Sequence, residues 1–307
     1  MSSRRSTVVT VAVLLLGALA PSRLRGVDEP LDVREQLDAT RPEAWAMRFF
    51  AAALQSTGVG VDPRRSLGEV GVALELANVP QLSASQRTVG MHGTKTEDLN
   101  RSPLVARPRL SVGIGGGFSL VADWIPPVTL DGAKPDVATL TLERPLYESQ
   151  AWRLGFRLGA GSGRVDGDFT CPRSVAAAGA DPRRNPYACE SASSDSERFH
   201  WKSLELGIER RLTPRVGAHV AATLWRLDGT FRAHAHWAGL DDTTRLAYVG
   251  NDWGVAGGLD WTVDPGWRLS GELFYAPLDV LRSPTDVGHS QNDPFWNLRL
   301  LVAYRLR

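Results

Sequence analysis

From about residue 66 to the carboxyl end, apolar and polar residues alternate one by one, and this constrains the fold more than any other feature. In the last stretch, Trp296, Leu298, Leu300, Val302, Tyr304 and Leu306 interleave with Asn297, Arg299, Leu301, Ala303, Arg305 and Arg307. Successive side chains of a strand point to opposite faces, so such a segment has one greasy face and one wet face. A helix would spread those arginines round its circumference. The segment reads as a strand.

The pattern recurs upstream. Trp267, Leu269, Leu273 and Tyr275 oppose Arg268, Ser270 and Glu272, and Trp253, Val255, Leu259 and Trp261 oppose Gly254, Ala256 and Asp260. Trp152, Leu154, Phe156 and Leu158 oppose Arg153 and Arg157. Residues 109–124 read as one long strand with Arg109, Ser111 and Asp123 on its wet side. Shorter alternations lie at 70–76, 138–142, 204–208 and 216–224, giving nine candidate strands.

Alternation alone fits both a sandwich and a membrane barrel. Aromatic spacing separates them. Trp253 and Trp261, Trp267 and Tyr275, and Trp296 and Tyr304 are each eight residues apart on the apolar face. Eight tilted strand residues climb roughly 20 Å, close to the apolar band between the aromatic girdles of an outer-membrane barrel. Short links at 211–215, at Asp264-Pro265-Gly266 and around Pro145 alternate with longer polar ones at 125–136, 167–198, 233–243 and 281–293. The wet face carries Arg153, Arg157, Glu205, Glu209, His219, Asp260, Arg268, Glu272, Arg299 and Arg305, all expected to line a narrow polar lumen.

The amino terminus reads as an export signal over residues 1–26. Arg4 and Arg5 precede an apolar run from Val8 to Ala20, and Ala18-Leu19-Ala20 has the small-x-small form of a cleavage site. Pro21 moves the expected cut toward Gly26. An anchor helix is the other reading, and the run is short for one, which needs about 20 residues. In an oxidising compartment Cys171 and Cys189 are expected to pair, a link worth roughly 3 kcal/mol in the chain-entropy model.

The signal, the Thr-Pro-Arg and Asp-Pro-Gly turns, and the closing strand ending Val302-Ala303-Tyr304-Arg305-Leu306-Arg307 resemble bacterial outer-membrane β-barrel proteins. The resemblance covers residues 66–307 as architecture and carries no subfamily motif. It implies a closed antiparallel transmembrane barrel in the outer membrane of a Gram-negative cell, in contact with the lipid bilayer and inserted by the barrel assembly machinery. Members of that class usually end in Phe or Trp, and this chain ends in Arg307.

With both ends in the periplasm the strand number is even. Ten strands are expected, with eight and twelve as the neighbouring counts. The tenth is sought at residues 55 to 45, because closure removes the free edge. Trp45, Phe49, Ala52 and Ala53 also sit at helical spacing behind Thr40-Arg41-Pro42-Glu43, so residues 27–65 hold either a first strand or a short helix. On the strand count, 79–107 becomes a long inner connection that enters the lumen or lies beneath it.

Lys and Arg total 35 against 34 Asp and Glu, a balance that argues against a nucleic-acid partner. Gly113-Ile114-Gly115-Gly116-Gly117 lacks the last glycine of a dinucleotide fingerprint, since Phe118 stands there, and reads as strand. No cofactor motif is present. His234, His236, Asp241 and Asp242 could gather round a metal, but without a third ligand at fixed spacing they read as a solvated loop. His219 with an acid and a serine would suit a lipid hydrolase, and its place near an inner turn favours a satisfied interior histidine. The first functional reading is a narrow channel or small-solute transporter with an unknown substrate. A structural or surface-binding barrel without transport is the second, and a lipid hydrolase the third.

Overall fold

In the computed structural model, which describes residues 35–282 and 290–306, the alternation is realised as ten long strands. They are β1 (Val70–Asn78), β2 (Leu104–Gly115), β3 (Phe118–Ile125), β4 (Lys134–Glu148), β5 (Trp152–Gly167), β6 (Asp195–Arg211), β7 (Val216–Arg232), β8 (Arg245–Thr262), β9 (Trp267–Ala276) and β10 (Phe295–Leu306). Each pairs antiparallel with the next, and β10 returns to pair with β1, for example Leu300 opposite Leu76 and Val302 opposite Leu74. The ring is closed, so β1 and β10 present no free edge, while the part of β8 before Val255 rises past its pairing with β9. The export signal expected over residues 1–26 lies outside the described residues.

Short turns join strands at one end, at 116–117, 149–151, 212–215 and 263–266. Long connections gather at the other, at 79–103, 126–133, 168–194, 233–244 and 277–294. Short periplasmic turns and long outer loops are the habit of outer-membrane barrels.

Two sequence expectations are corrected here, and their errors cancel in the count. Residues 109–124 form two strands, not one. Gly115, Gly116 and Gly117 take φ of 94°, 61° and 77°, a left-handed run that glycine enters without steric cost, and the chain reverses there. Ile114 and Phe118 both face outward across this turn, so the alternation passes through it unbroken. Residues 45–55 are not a strand. They belong to helix α1 (Pro42–Leu54), which starts with Pro in its first turn and Glu43 beside the helix amino end. With the extra hairpin in place, 79–103 lies at the long-loop end and is not an inner connection.

Helix α1 is buried on nearly every side, as an apolar helix surrounded by protein should be. It lies inside the barrel toward the long-loop end. Trp45 stacks near Phe49 at 5.4 Å, and Phe49 meets Phe295 of β10 edge-on at 5.1 Å. Before it, Glu35–Gln36 pairs with the start of β8, where the Leu37 amide donates to the Ala247 carbonyl. After it, residues 55–69 run down the interior to the short-turn end, where Arg305 pairs with Glu69 at 2.5 Å. The lumen is filled by the chain's own amino-terminal segment.

Inward glycines of the strands make room for large partners. A Cβ on Gly161 would stand 2.1 Å from the Trp201 ring on the neighbouring strand, so that indole lies across the glycine backbone.

Candidate functional site

The outer face comes first, because it defines the solvent. Leu140, Leu206, Leu224 and Leu259 all face outward and are each more than half exposed. Aqueous proteins do not leave a contiguous apolar surface of this extent uncovered. The six expected girdle residues are outward too, and the register puts them at two levels. Trp267 is opposite Tyr304, with ring centres 4.7 Å apart, and Trp261 faces Leu269 on the same side. Tyr275 is opposite Trp296, with ring centres 4.3 Å apart, and Tyr275 also faces Val255, two residues from Trp253. Beyond the upper level the outward positions turn polar, with Lys202, His200 and Arg198 on β6 and Arg226 and Asp228 on β7. The outer halves of these strands therefore stand above the apolar belt.

The wet face is an interior of paired charge. All ten residues expected to line the lumen point inward. Arg157 reaches Glu143 at 3.2 Å and Glu205 at 3.6 Å, and Arg153 reaches Glu209 at 3.0 Å. Arg268 meets Asp62 of the lumen segment at 2.6 Å. His219 is held between Asp260, at 2.6 Å from Nδ1, and Glu272, at 3.4 Å from Nε2. The Ser270 hydroxyl donates to Asp260 and not to the imidazole. Arg299 donates to the Thr57 hydroxyl at 2.8 Å and to the carbonyls of Gln55 and Ala52.

Several of these partners belong to the lumen segment and were not legible in the alternation. Arg107 pairs with Glu75 at 2.7 Å and donates to the Leu54 carbonyl at 2.6 Å. Arg109 donates to the Thr57 carbonyl, and the Gly58 amide donates to Glu205. Cavities beside Val61 and Gly58 measure only about 20 and 30 Å³, room for a water each.

At the long-loop end a much larger cavity opens, of about 500 Å³. Helix α1 lines it with Ala46, Met47 and Phe50, and the β1–β2 connection with Val89, Lys95, Glu97 and Leu99. Phe169 and Thr170 come from the β5–β6 connection, Glu197 from β6, Phe231 from β7, and Trp237, Leu240 and Asp242 from the β7–β8 connection. Its size and its mainly apolar lining with a few polar groups are those of a small-molecule site. Lys95 is buried and donates to Glu97 at 2.8 Å and to the Thr170 carbonyl at 2.6 Å. Burial pushes the Glu97 carboxyl up to about 7, with Lys95 beside it pulling the other way. Of these residues only Asp242 was singled out from the sequence, and there as part of a solvated loop. The one available signal was parity: extending the inward positions of β6 from Glu205 back through Trp201 and Phe199 reaches Glu197.

The disulfide between Cys171 and Cys189 braces one wall of this region, and Ala235 packs against it. His236 pairs with Asp241, with His234 close by at 5.7 Å between ring centres. No group of three or more His, Cys, Asp or Glu side chains suited to a metal occurs among the described residues. The glycine run at 113–117 is a hairpin turn with no helix behind it, which removes any phosphate-cradle reading.

A closed ring of ten antiparallel strands, belted outside by apolar side chains with aromatic edges and charged inside, is a transmembrane β-barrel of the bacterial outer-membrane kind. The chain is similar to several solved structures at low identity. They include the outer membrane protease OmpT of Escherichia coli, at 12% identity over 78% of this chain and 95% of that one, with a TM-score of 0.43. They also include the attachment invasion locus protein Ail of Yersinia pestis, at 11% identity, 78% and 100% coverage and a TM-score of 0.29. A third is the toluene transporter TbuX of Ralstonia pickettii, at 9% identity, 84% and 97% coverage and a TM-score of 0.32. No protein-family description and no curated protein matches the sequence. The class therefore rests on this chain's own closure, belt and turn asymmetry.

Proposed function

We propose that the protein is an outer-membrane barrel that binds a small molecule at its outer end and has no standing pore. The observation that carries this reading is the course of residues 42–62, which fill the lumen yet leave a cavity of about 500 Å³ under the long loops. Among the described residues the inward charges below the outer cavity, such as Arg157 with Glu143 and Arg268 with Asp62, meet each other or backbone groups of the lumen segment, so they form no row of free charge to guide ions. The barrel acts without catalysis: His219 is enclosed by two carboxylates, and the nearby serine hydroxyl is turned to Asp260. Insertion by the barrel assembly machinery fits its class.

A plug-gated transporter of small solutes is the second reading. It is favoured by the polar character of the contacts along residues 55–62, such as Arg153 donating to the Val61 carbonyl, because water can replace them if the segment moves. Planar-bilayer recording separates the two. A silent protein whose cavity takes up an apolar fluorophore supports the binding protein. Spontaneous, solute-dependent conductance from the intact chain overturns it in favour of transport.

A further inference from the structure

The chemistry of the outer cavity specifies its ligand more narrowly. Glu197 lies near the start of β6 with its side chain turned inward, and the residue is 4% exposed. Its Oε1 is buried without a hydrogen-bond partner, and no ion pair of Glu197 is found among the described residues. The other carboxylates of the cavity are occupied. Glu97 holds Lys95, Glu43 holds Arg41 and the His92 amide, and Asp242 accepts from the Trp237 indole and the Thr244 amide. Lys95, spent on Glu97 and Thr170, has no charge to lend.

A buried acceptor left open is costly, and a donor carrying positive charge answers it best. The surrounding rings favour the same partner. Phe50, Phe169, Phe231 and Trp237 line the space, and aromatic faces attract ammonium groups. Burial pushes the Glu197 carboxyl well above the ordinary carboxylate range, so it stands neutral until a cation arrives. An ammonium group is the ligand that draws it into the charged form, which an anion opposes and a neutral molecule does not favour. We infer that the cavity binds a small lipophilic amine, its ammonium on Glu197 and its apolar body among Met47, Phe50 and Phe231. This rests on reading the cavity as a binding site.

The test uses the full chain in nanodiscs of zwitterionic phospholipid, with empty nanodiscs as the blank. Naphthylmethylamine, naphthylmethanol and naphthoate share one apolar body and differ in head group. The amine is expected to bind at least about tenfold more tightly than the alcohol, a gap of about 1.4 kcal/mol, with naphthoate weakest. Glu197→Gln keeps the shape and removes the charge, and should bring amine and alcohol within about twofold. Unchanged heat-modifiable migration of the variant confirms that it folds. Equal binding of amine and alcohol by the native protein, or a preference that survives Glu197→Gln, overturns the amine while leaving the cavity as a site. Failure of all three probes overturns the site as well.

Discussion

The Arg107 guanidinium donates to the Leu54 carbonyl at 2.6 Å, so the barrel wall caps the last turn of a helix inside it. The last carbonyls of a helix have no partner within it and carry the negative end of its dipole. Helix α1 has no basic residue of its own in that turn. Arg107 supplies the charge from β2 and Arg299, through Ala52 and Gln55, supplies it from β10. Helix and wall are thus one charge-matched unit.

Removing one partner of that unit should be expensive. Arg299→Met leaves Glu272 short of a cation and two helix carbonyls uncapped, and should cost about 3 kcal/mol. Thr57→Val, which deletes only a hydroxyl, should cost about 1–2 kcal/mol. Urea unfolding in detergent, followed by loss of the heat-modifiable band, measures both. Equal midpoints for Arg299→Met and the native chain would contradict the capping role.

Deleting residues 42–54 should turn a silent barrel into a conducting one, because α1 fills the lumen toward its outer end. Single-channel recording reads the change directly. Persistent silence would mean that residues 55–69 close the lumen unaided.

The Glu97 carboxyl is held at about 7, above the ordinary 4.5. The folded state therefore binds this proton more tightly than the unfolded chain does. Its contribution is fully present below pH 4.5 and is lost as the pH rises through 7. Amides of residues 88–99 should exchange faster at pH 8 than at pH 5 after correction for intrinsic rates. Glu97→Gln should flatten that part of the profile.

Positions on the belt should react with a carbene probe released in the hydrocarbon layer. Trp253 and Val302, replaced singly by cysteine-linked reporters, should be tagged, and Glu272 and Arg299 should not. The reverse result would place lipid on the charged face and end the barrel assignment.

Reduction of Cys171–Cys189 should loosen the outer cap and spare the barrel. The 18-residue separation makes the link worth roughly 3 kcal/mol to the loop it closes, while the strand ladder does not depend on it. Hydrogen exchange should accelerate at 168–194 and stay unchanged along β9 and β10.

How much of this was legible in the chain follows from which interactions are local. Side-chain parity is local, so the inward placement of Arg153, Glu205, His219 and Arg299 could be read from alternation alone. The turn at Gly115–Gly117 preserves parity and so hid a hairpin inside an apparently single strand. Pro42 and the Trp45–Phe49 spacing signal helix α1, whereas an even strand count built on one strand over 109–124 calls for a strand there. The extra hairpin at Gly115–Gly117 and the helix at Pro42–Leu54 offset each other, which leaves the number of strands at ten. The outer cavity was not readable at all, because its walls come from a helix, three connections and the upper ends of the strands. Such convergence is decided by long-range packing and leaves no period in the sequence.

Residues 42–62 precede β1 and lie inside the ring that β1 and β10 complete. Once that seam is zipped, a helix about 10–12 Å across with its side chains would have to be threaded lengthwise through a crowded bore. The physically open route is to lay the segment in place first and wrap the sheet around it. The β1–β10 seam is then a kinetic latch, and a chain that fastens it early is trapped with its stopper on the wrong side.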